Sequence, residues 1–133
     1  MRFAATIQCM AARPKRVLVG YDGSASAQRA LGAAAGLIGY GSTLAVVSVA
    51  PPGSESGQAP LDDAREQLLE RHVSASYVLR HGDAGDQLVD AAQALDADLI
   101  VVGGRTQNGR VFGLGRVSSD VLQHAPCDVL VVR

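Results

Sequence analysis

The sequence has few cysteines and no arrangement of them that indicates a bonded or metal-bound framework. Only Cys9 and Cys127 occur in 133 residues, near opposite ends of the chain. Neither stands in a C-x-x-C pair, and neither has a histidine beside it at metal-ligand spacing. Disulfide frameworks and zinc sites need closer or denser cysteine patterns. Both classes are therefore excluded, and no metal ligand is predicted.

The chain also lacks a surplus of charge of one sign. The sequence contains twelve Lys and Arg residues and thirteen Asp and Glu residues, which gives a formal net charge of -1. Proteins that bind nucleic acid usually carry a basic face that neutralises backbone phosphates. The charge balance therefore predicts that no nucleic acid is a partner.

Long hydrophobic runs are absent as well. The longest, such as residues 99–102 and 129–132, are far shorter than the ~20 apolar residues needed to cross a bilayer. The apolar stretch that begins at Phe3 is interrupted by Gln8 before it could form a secretory signal. We therefore expect a cytoplasmic protein without a membrane partner. Residues 1–13 are predicted to be an N-terminal extension.

What the chain does have is enough apolar material for one core. Its length is that of one domain, and 47% of its residues are hydrophobic against 19% charged. Short apolar runs alternate with segments of helical period from Lys15 onward, a pattern typical of βαβ units on a parallel sheet. Strands are predicted at residues 16–20, 44–49, 76–80, 98–103 and 128–132. The fold class is therefore α/β, with a single domain at residues 14–133.

Four helices are predicted between these strands. The first has its apolar stripe at residues 27–38 and Ser24 as N-cap, and the third is capped by Asp83. The second follows a Gly/Ser/Pro-rich loop that ends at Pro60, with Leu61, Ala64, Leu68 and His72 at helical spacing. The fourth spans Val117 to Leu122 and stops before Pro126.

Two loops are candidates for a ligand site. Ligands of open parallel sheets bind beyond the carboxyl ends of the strands, where neighbouring loops diverge. Asp22 follows the first strand, where it serves either as a hydrogen-bond acceptor for a ligand or as an ordinary turn residue. Several glycines occur in residues 103–115, after the fourth strand. This pattern is typical either of phosphate binding near a helix start or of a plain surface loop.

Five segments together resemble the universal stress protein family. They are VLVGYDGS at 17–24, LAVVSV at 44–49, HGDAGDQLVDAA at 81–92, DADLIVVGGR at 96–105 and LGRVSSDVLQHAPCDVLVV at 114–132. The resemblance covers nearly everything after residue 14. It implies a Rossmann-like fold, similar to adenine nucleotide alpha hydrolases, with five parallel strands in the order 3-2-1-4-5 and flanking helices.

The resemblance also implies a nucleotide site, since the family includes members that bind ATP. In those members an Asp after the first strand and a Val late in the second contact the adenosine, which carries over to Asp22 and Val49. A G-x2-G-x9-G-[ST] motif after the fourth strand lines the ribose and phosphates. Its first and last glycines correspond to Gly103 and Gly115. If ATP or AMP binds, with Mg²⁺, the phosphates are expected at Gly115 and the N–H groups of Arg116 and Val117.

This chain departs from that motif in three ways. Thr106 stands where the second glycine belongs, the spacing from Gly103 to Gly115 is one residue shorter, and Arg116 replaces the final hydroxyl residue. A guanidinium there either pairs with phosphate or fills the phosphate site.

Three functions follow as alternatives. The first is a cytoplasmic stress-response regulator that binds adenine nucleotide and acts through protein partners. The second is a dimeric scaffold that works without nucleotide. The third is a slow ATPase or nucleotidyl-transfer enzyme with Asp22 and Arg116 at the nucleotide, although no acid, base or metal cluster supports catalysis. The implied strand order puts residues 128–132 at a sheet edge, and an apolar edge strand without Pro or Lys favours pairing with its own copy, so a homodimer through this strand is expected. The alternative is an edge shielded by residues 1–13.

Overall fold

A computed structural model describes residues 14–39, 41–54, 57–104, 106–107, 110–111 and 116–132. The predicted N-terminal extension, residues 1–13, lies outside the described residues. The elements follow one another in this order: β1 (Arg16–Gly20), α1 (Ala25–Leu37), β2 (Thr43–Ala50), α2 (Gln58–Glu70), β3 (Ser76–His81), α3 (Ala84–Ala94), β4 (Leu99–Gly103), β5 (Thr106–Gln107), β6 (Arg110–Val111), α4 (Arg116–His124) and β7 (Asp128–Val132).

Five of these strands form one parallel sheet in the order β3-β2-β1-β4-β7. This confirms the strand order that the family resemblance implies. The short strands β5 and β6 form a separate antiparallel ladder within the glycine-rich segment, which the sequence pattern did not predict. Because β1 lies beside β4, the segments after these two strands diverge at the carboxyl end of the sheet.

The sheet is covered on both faces. Successive residues of a strand point to opposite sides, so Val17 and Val19 of β1 enter one core and Leu18 enters the other. Helices α1 and α2 cover the first face, while α3 and α4 cover the second. Strands buried on both sides are expected to read as continuous apolar runs, and β1, β4 and β7 do so.

Two predicted helix caps are confirmed. The Ser24 side chain accepts the N–H of Ala27 at the start of α1, and Asp83 accepts the N–H of Asp86 at the start of α3. These acceptors satisfy backbone groups that have no partner inside the helix.

The predicted limits of the second helix are wrong at both ends. Helix α2 begins at Gln58, so Pro60 lies in its first turn, where the missing N–H costs no helical hydrogen bond. It ends at Glu70, and His72 adopts a φ of 57° instead of continuing the helix. The N–H groups of His72 and Val73 bond back to the carbonyls of Leu69 and Leu68, as in a Schellman cap.

The amino end of the sheet is closed by Asp98. Its two carboxylate oxygens accept the N–H groups of Lys15 and Arg16 at 2.9 and 3.0 Å, and its own N–H donates to the Arg16 carbonyl. Asp96 pairs with the Arg16 guanidinium at 2.8 Å. Both of these carboxylates therefore bind partners within the protein.

Strand β7 lies at a sheet edge, as predicted. Its last four residues, 129–132, are nevertheless only 0 to 3% exposed in the single chain. Two copies could pair through this strand only if its edge became accessible. No helix in the described part of the chain is long and apolar enough to span a membrane.

Candidate functional site

A crevice of about 300 Å³ opens beyond the carboxyl ends of β1 and β4. Its volume is at the lower end of the range for small-molecule sites. Helices α1, α3 and α4 and the ends of β1, β2 and β4 supply its wall. The lining residues are Gly20, Tyr21, Asp22, Ser24, Ser26, Ala27, Val47, Val49, Ala84, Leu88, Val102, Gly103, Gly104, Val117 and Ser118.

Asp22 is an exposed residue that lies directly after β1. Its Oδ1 accepts the Ser24 N–H at 2.9 Å, which makes a tight turn before α1. Gly23 completes this turn with a φ of 84°, a conformation that side chains other than glycine rarely adopt. Within the described residues no hydrogen bond uses the Asp22 Oδ2. The residue therefore has a turn role and still presents an acceptor to the crevice.

Val49 belongs to an apolar part of the wall. It lies late in β2 and is half-buried, and Val47, Leu88 and Val102 line the crevice with it. Aliphatic side chains of this kind can pack against the flat face of an aromatic base, since such a base carries its polar atoms at its edges. The predicted adenosine contacts at Asp22 and Val49 are thus both placed on the crevice wall.

Gly103 lies at the end of β4, where it meets the first turn of α1. A Cβ on this residue would lie 2.7 Å from the carbonyl carbon of Ser26 and 2.8 Å from its carbonyl oxygen. The family resemblance implies that this glycine lies beside the adenosine of a bound nucleotide. The contact with Ser26 is a packing reason for the same glycine, because α1 crosses β4 too closely for a side chain.

Helix α4 begins at the crevice. Val117 and Ser118 line the crevice, and the first N–H groups of a helix have no partner inside it and carry partial positive charge. An anion placed there gains hydrogen bonds as well as electrostatic stabilisation. Of the predicted phosphate contacts, Val117 is thus on the wall. Gly115 lies outside the described residues, and so does the side chain of Arg116.

Two buried serines add hydroxyl groups that the sequence did not assign to the site. Ser26 is 5% exposed and Ser118 is 1% exposed, and both line the crevice. The Ser24 and Ser26 Oγ atoms lie 3.3 Å apart. Helical spacing was the available signal, since Ser26 precedes the buried Ala30 by four residues and Ser118 precedes the buried Val121 by three.

Tyr21 joins the crevice to α2. Its N–H donates to the Val47 carbonyl at 2.9 Å, and its hydroxyl donates to Asp63 Oδ2 at 2.5 Å. The Gln67 amide donates to both of these oxygens, in each case at 3.0 Å. Burial, followed by the bond to the Asp63 carboxylate, raises the pKa of Tyr21 to about 12. The hydroxyl therefore remains a neutral donor at physiological pH.

The chemistry of the wall favours binding by hydrogen bonds and apolar contact. Among the lining residues that the structure describes, Asp22 is the one side chain with a formal charge at neutral pH. No group of three or more His, Cys, Asp or Glu side chains in the described part of the chain could hold a metal ion. The described wall thus contains one carboxylate, three serine hydroxyls, a tyrosine whose hydroxyl bonds to α2, and the start of α4.

The chain matches one family model over most of its length, and the relatives named below are members of the same family. The family model described as the universal stress protein family matches residues 14–133. A universal stress protein of Thermus aquaticus is 33% identical over 136 residues, which cover 90% of this chain and 98% of that protein. In three further curated relatives the match spans about half of the relative's length, between 42% and 54%.

Two solved structures share the fold closely. A universal stress protein described as being in complex with cAMP is 27% identical, with a TM-score of 0.75, over 92% of this chain and 99% of that chain. The universal stress protein of Archaeoglobus fulgidus, described in complex with dAMP, is 25% identical with a TM-score of 0.75. That match covers 92% of this chain and all of the other, at 100%. Both ligands are adenine nucleotides.

Proposed function

This chain belongs to the universal stress protein family, and from that premise we propose that it binds an adenine nucleotide, ATP or AMP, in the crevice. The observation that carries the proposal is the meeting of Asp22, the aliphatic wall and the start of α4 around one opening at the tips of β1 and β4. This is where open parallel sheets bind ligands.

In this proposal the two parts of the nucleotide lie at different parts of the wall. The adenosine lies by Asp22, Val49 and Gly103, where a carboxylate accepts hydrogen bonds and valine packs against the base. The phosphates lie at the start of α4, at the N–H groups of Arg116 and Val117 beside Gly115. When ATP is the ligand, Mg²⁺ enters bound to its phosphates, since Mg²⁺ is usually held largely by phosphate and water oxygens.

The related structures support the choice of an adenine nucleotide. Two family members at 25% and 27% identity are described in complex with dAMP and cAMP. A nucleotide-binding protein that does not turn its ligand over efficiently acts through the proteins that it contacts. We therefore propose a stress-response regulator whose nucleotide state is read by a protein partner, with the cytoplasmic location expected from the sequence.

Calorimetry with ATP and with AMP at millimolar concentration tests this function. The wild type is expected to bind with measurable heat and to show a higher melting temperature in the presence of ligand, since ligands that bind only the folded state stabilise it. A folded wild type that gives neither heat nor a thermal shift would refute the proposal. ATP turnover that collapses in Arg116→Ala would favour the enzyme instead.

A scaffold that works without nucleotide is the second candidate. One observation favours it: Thr106 stands where binding members of the family carry the second glycine of their motif. A side chain at that position reduces how closely backbone N–H groups can approach a phosphate. Absence of binding together with a stable dimer would support this candidate.

A homodimer through β7 remains our proposal for the assembly. The strand lies at the sheet edge, paired with β4 on one side, so its other side is where a second copy would pair. Residues 129–132 are shielded in the single chain, so this edge must first become accessible, and we expect the dimer to form only at high protein concentration. Light scattering from micromolar to millimolar protein measures it, and a monomer over the whole range would contradict the proposal.

A further inference from the structure

Helix α2 is the one helix of the described fold that supplies no residue to the crevice wall. Helices α1, α3 and α4 each contribute residues. Yet α2 is tied to the wall through Tyr21, which lines the crevice and is 2% exposed. Tyr21, at the end of β1, is hydrogen-bonded to Asp63 and Gln67 of α2. These residues lie 42 and 46 positions after Tyr21 in the sequence.

The position of Tyr21 gives this tie a direct effect on the site. Its main chain is held by β2 through the bond to Val47, and its side chain is held by α2. The next residue is Asp22, whose carboxylate both forms the turn and faces the crevice. A rotation of the β1 tip would therefore move the Asp22 carboxylate relative to Val49 and the start of α4.

The hydrogen-bond pattern favours one orientation of the phenol ring. Asp63 accepts from the Tyr21 hydroxyl, and Gln67 donates to both oxygens, so the three side chains form a closed set. Hydrogen bonds to a charged acceptor are shorter and stronger than neutral ones. Asp63 is exposed, so the set connects the crevice with the outer surface of α2.

We propose that Tyr21, held by Asp63 and Gln67, is a positioning residue that couples the nucleotide crevice to helix α2. The proposal rests on nucleotide binding in the crevice. Coupling between two sites is reciprocal: if the set improves nucleotide binding, nucleotide binding stabilises the set and the helix turn that carries it. A surface partner that contacts α2 would thus sense whether the crevice is occupied.

The test measures AMP affinity by calorimetry in wild type, Tyr21→Phe, Asp63→Ala and Asp63→Asn. Tyr21→Phe and Asp63→Ala are expected to weaken AMP binding ~5- to 10-fold, the lower part of the range for coupled sites. Asp63→Asn keeps an acceptor oxygen for the hydroxyl, so its affinity should recover most of that loss. Leu68→Val is the matched control, since Leu68 is buried on α2 and belongs to none of these hydrogen bonds.

Amide hydrogen exchange separates positioning from general stability. AMP should slow exchange in the α2 turn around residues 63–67 of the wild type and of Leu68→Val, but not of Tyr21→Phe. Equal AMP affinity and equal slowing in Tyr21→Phe and wild type would overturn the coupling while leaving the nucleotide site intact. A wild type that does not bind AMP would overturn both.

Discussion

At the amino end of the sheet, Asp98 accepts hydrogen bonds from the N–H groups of Lys15 and Arg16, one on each carboxylate oxygen. At the carboxyl end, Asp22 accepts the Ser24 N–H through Oδ1 alone and lines a crevice of about 300 Å³. An aspartate next to a strand therefore stabilises the fold at one end of the sheet, whereas an aspartate at the other end remains available to a ligand. The difference lies in how many internal donors surround the carboxylate.

Backbone conformation differs between the two ends as well. At the amino end positive φ occurs at Gly41 and at two residues that carry side chains, His72 and Asp96, which follow α2 and α3. Among the described residues of the carboxyl end, positive φ falls on glycines alone, Gly23, Gly53 and Gly82, which have no side chain to strain. Strained residues are thus found at the end that we assign to stability alone.

The largest expected effect on stability belongs to a substitution of Gly103. It tests whether this glycine at the carboxyl end is needed for packing. Gly103→Val should destabilise the protein by about 3 kcal/mol, because its Cβ would overlap the backbone of Ser26. Thermal or denaturant unfolding measures this. Gly36→Ala is the control, since nothing lies within 4 Å of an added Cβ there. Normal stability in Gly103→Val would show that α1 does not need this glycine.

Alkaline pH provides the next test. The pKa of Tyr21 in the folded protein is raised to about 12, whereas an unfolded tyrosine loses its proton near pH 10. Above pH 10 the unfolded state therefore ionises first, and stability falls as pH rises towards 12. Wild type should lose about 2 kcal/mol more than Tyr21→Phe across this window in urea unfolding. Parallel curves for the two proteins would contradict a buried, hydrogen-bonded hydroxyl.

A smaller effect is expected at the amino end. His72→Gly should stabilise the protein by about 0.5 to 1 kcal/mol, because glycine adopts a φ of 57° without the steric cost that a side chain incurs. His72→Ala keeps that cost and serves as the matched control. If both variants unfold at the same denaturant concentration, backbone strain at position 72 is not what limits this cap.

Much of the fold could be predicted from local pattern. Alternating apolar runs predicted the five strands of the sheet, and Ser24 and Asp83 were correctly predicted as helix caps because their short side chains precede helical periods. The strand order came from the family resemblance, since periodicity does not determine which strands are neighbours. The limits of α2 were missed because a proline is permitted in a first helical turn and His72 forms a cap usually made by glycine.

The candidate site was only partly predictable for a similar reason. Asp22, Val49, Gly103 and Val117 were predicted, and all four line the crevice. Ser26 was missed because the role of a buried hydroxyl depends on the helix face it occupies. The contact of Tyr21 with Asp63 and Gln67 joins residues far apart in the sequence, so no local pattern indicates it.

The comparison of Asp22 with Asp98 tests the central claim most directly. Both carboxylates are changed in matched variants, Asp22→Ala and Asp98→Ala, and AMP affinity and unfolding free energy are measured for each. Asp98→Ala should lose about 2 kcal/mol of stability, because two N–H groups lose a charged acceptor, and should bind AMP like the wild type.

Asp22→Ala should lose only about 0.5 to 1 kcal/mol of stability, the value of one turn hydrogen bond, and should bind AMP at least ~10-fold more weakly. The predicted result is therefore that Asp98→Ala mainly loses stability, whereas Asp22→Ala mainly loses AMP affinity. Equal AMP affinity in Asp22→Ala and wild type would contradict the assignment of the crevice as the nucleotide site.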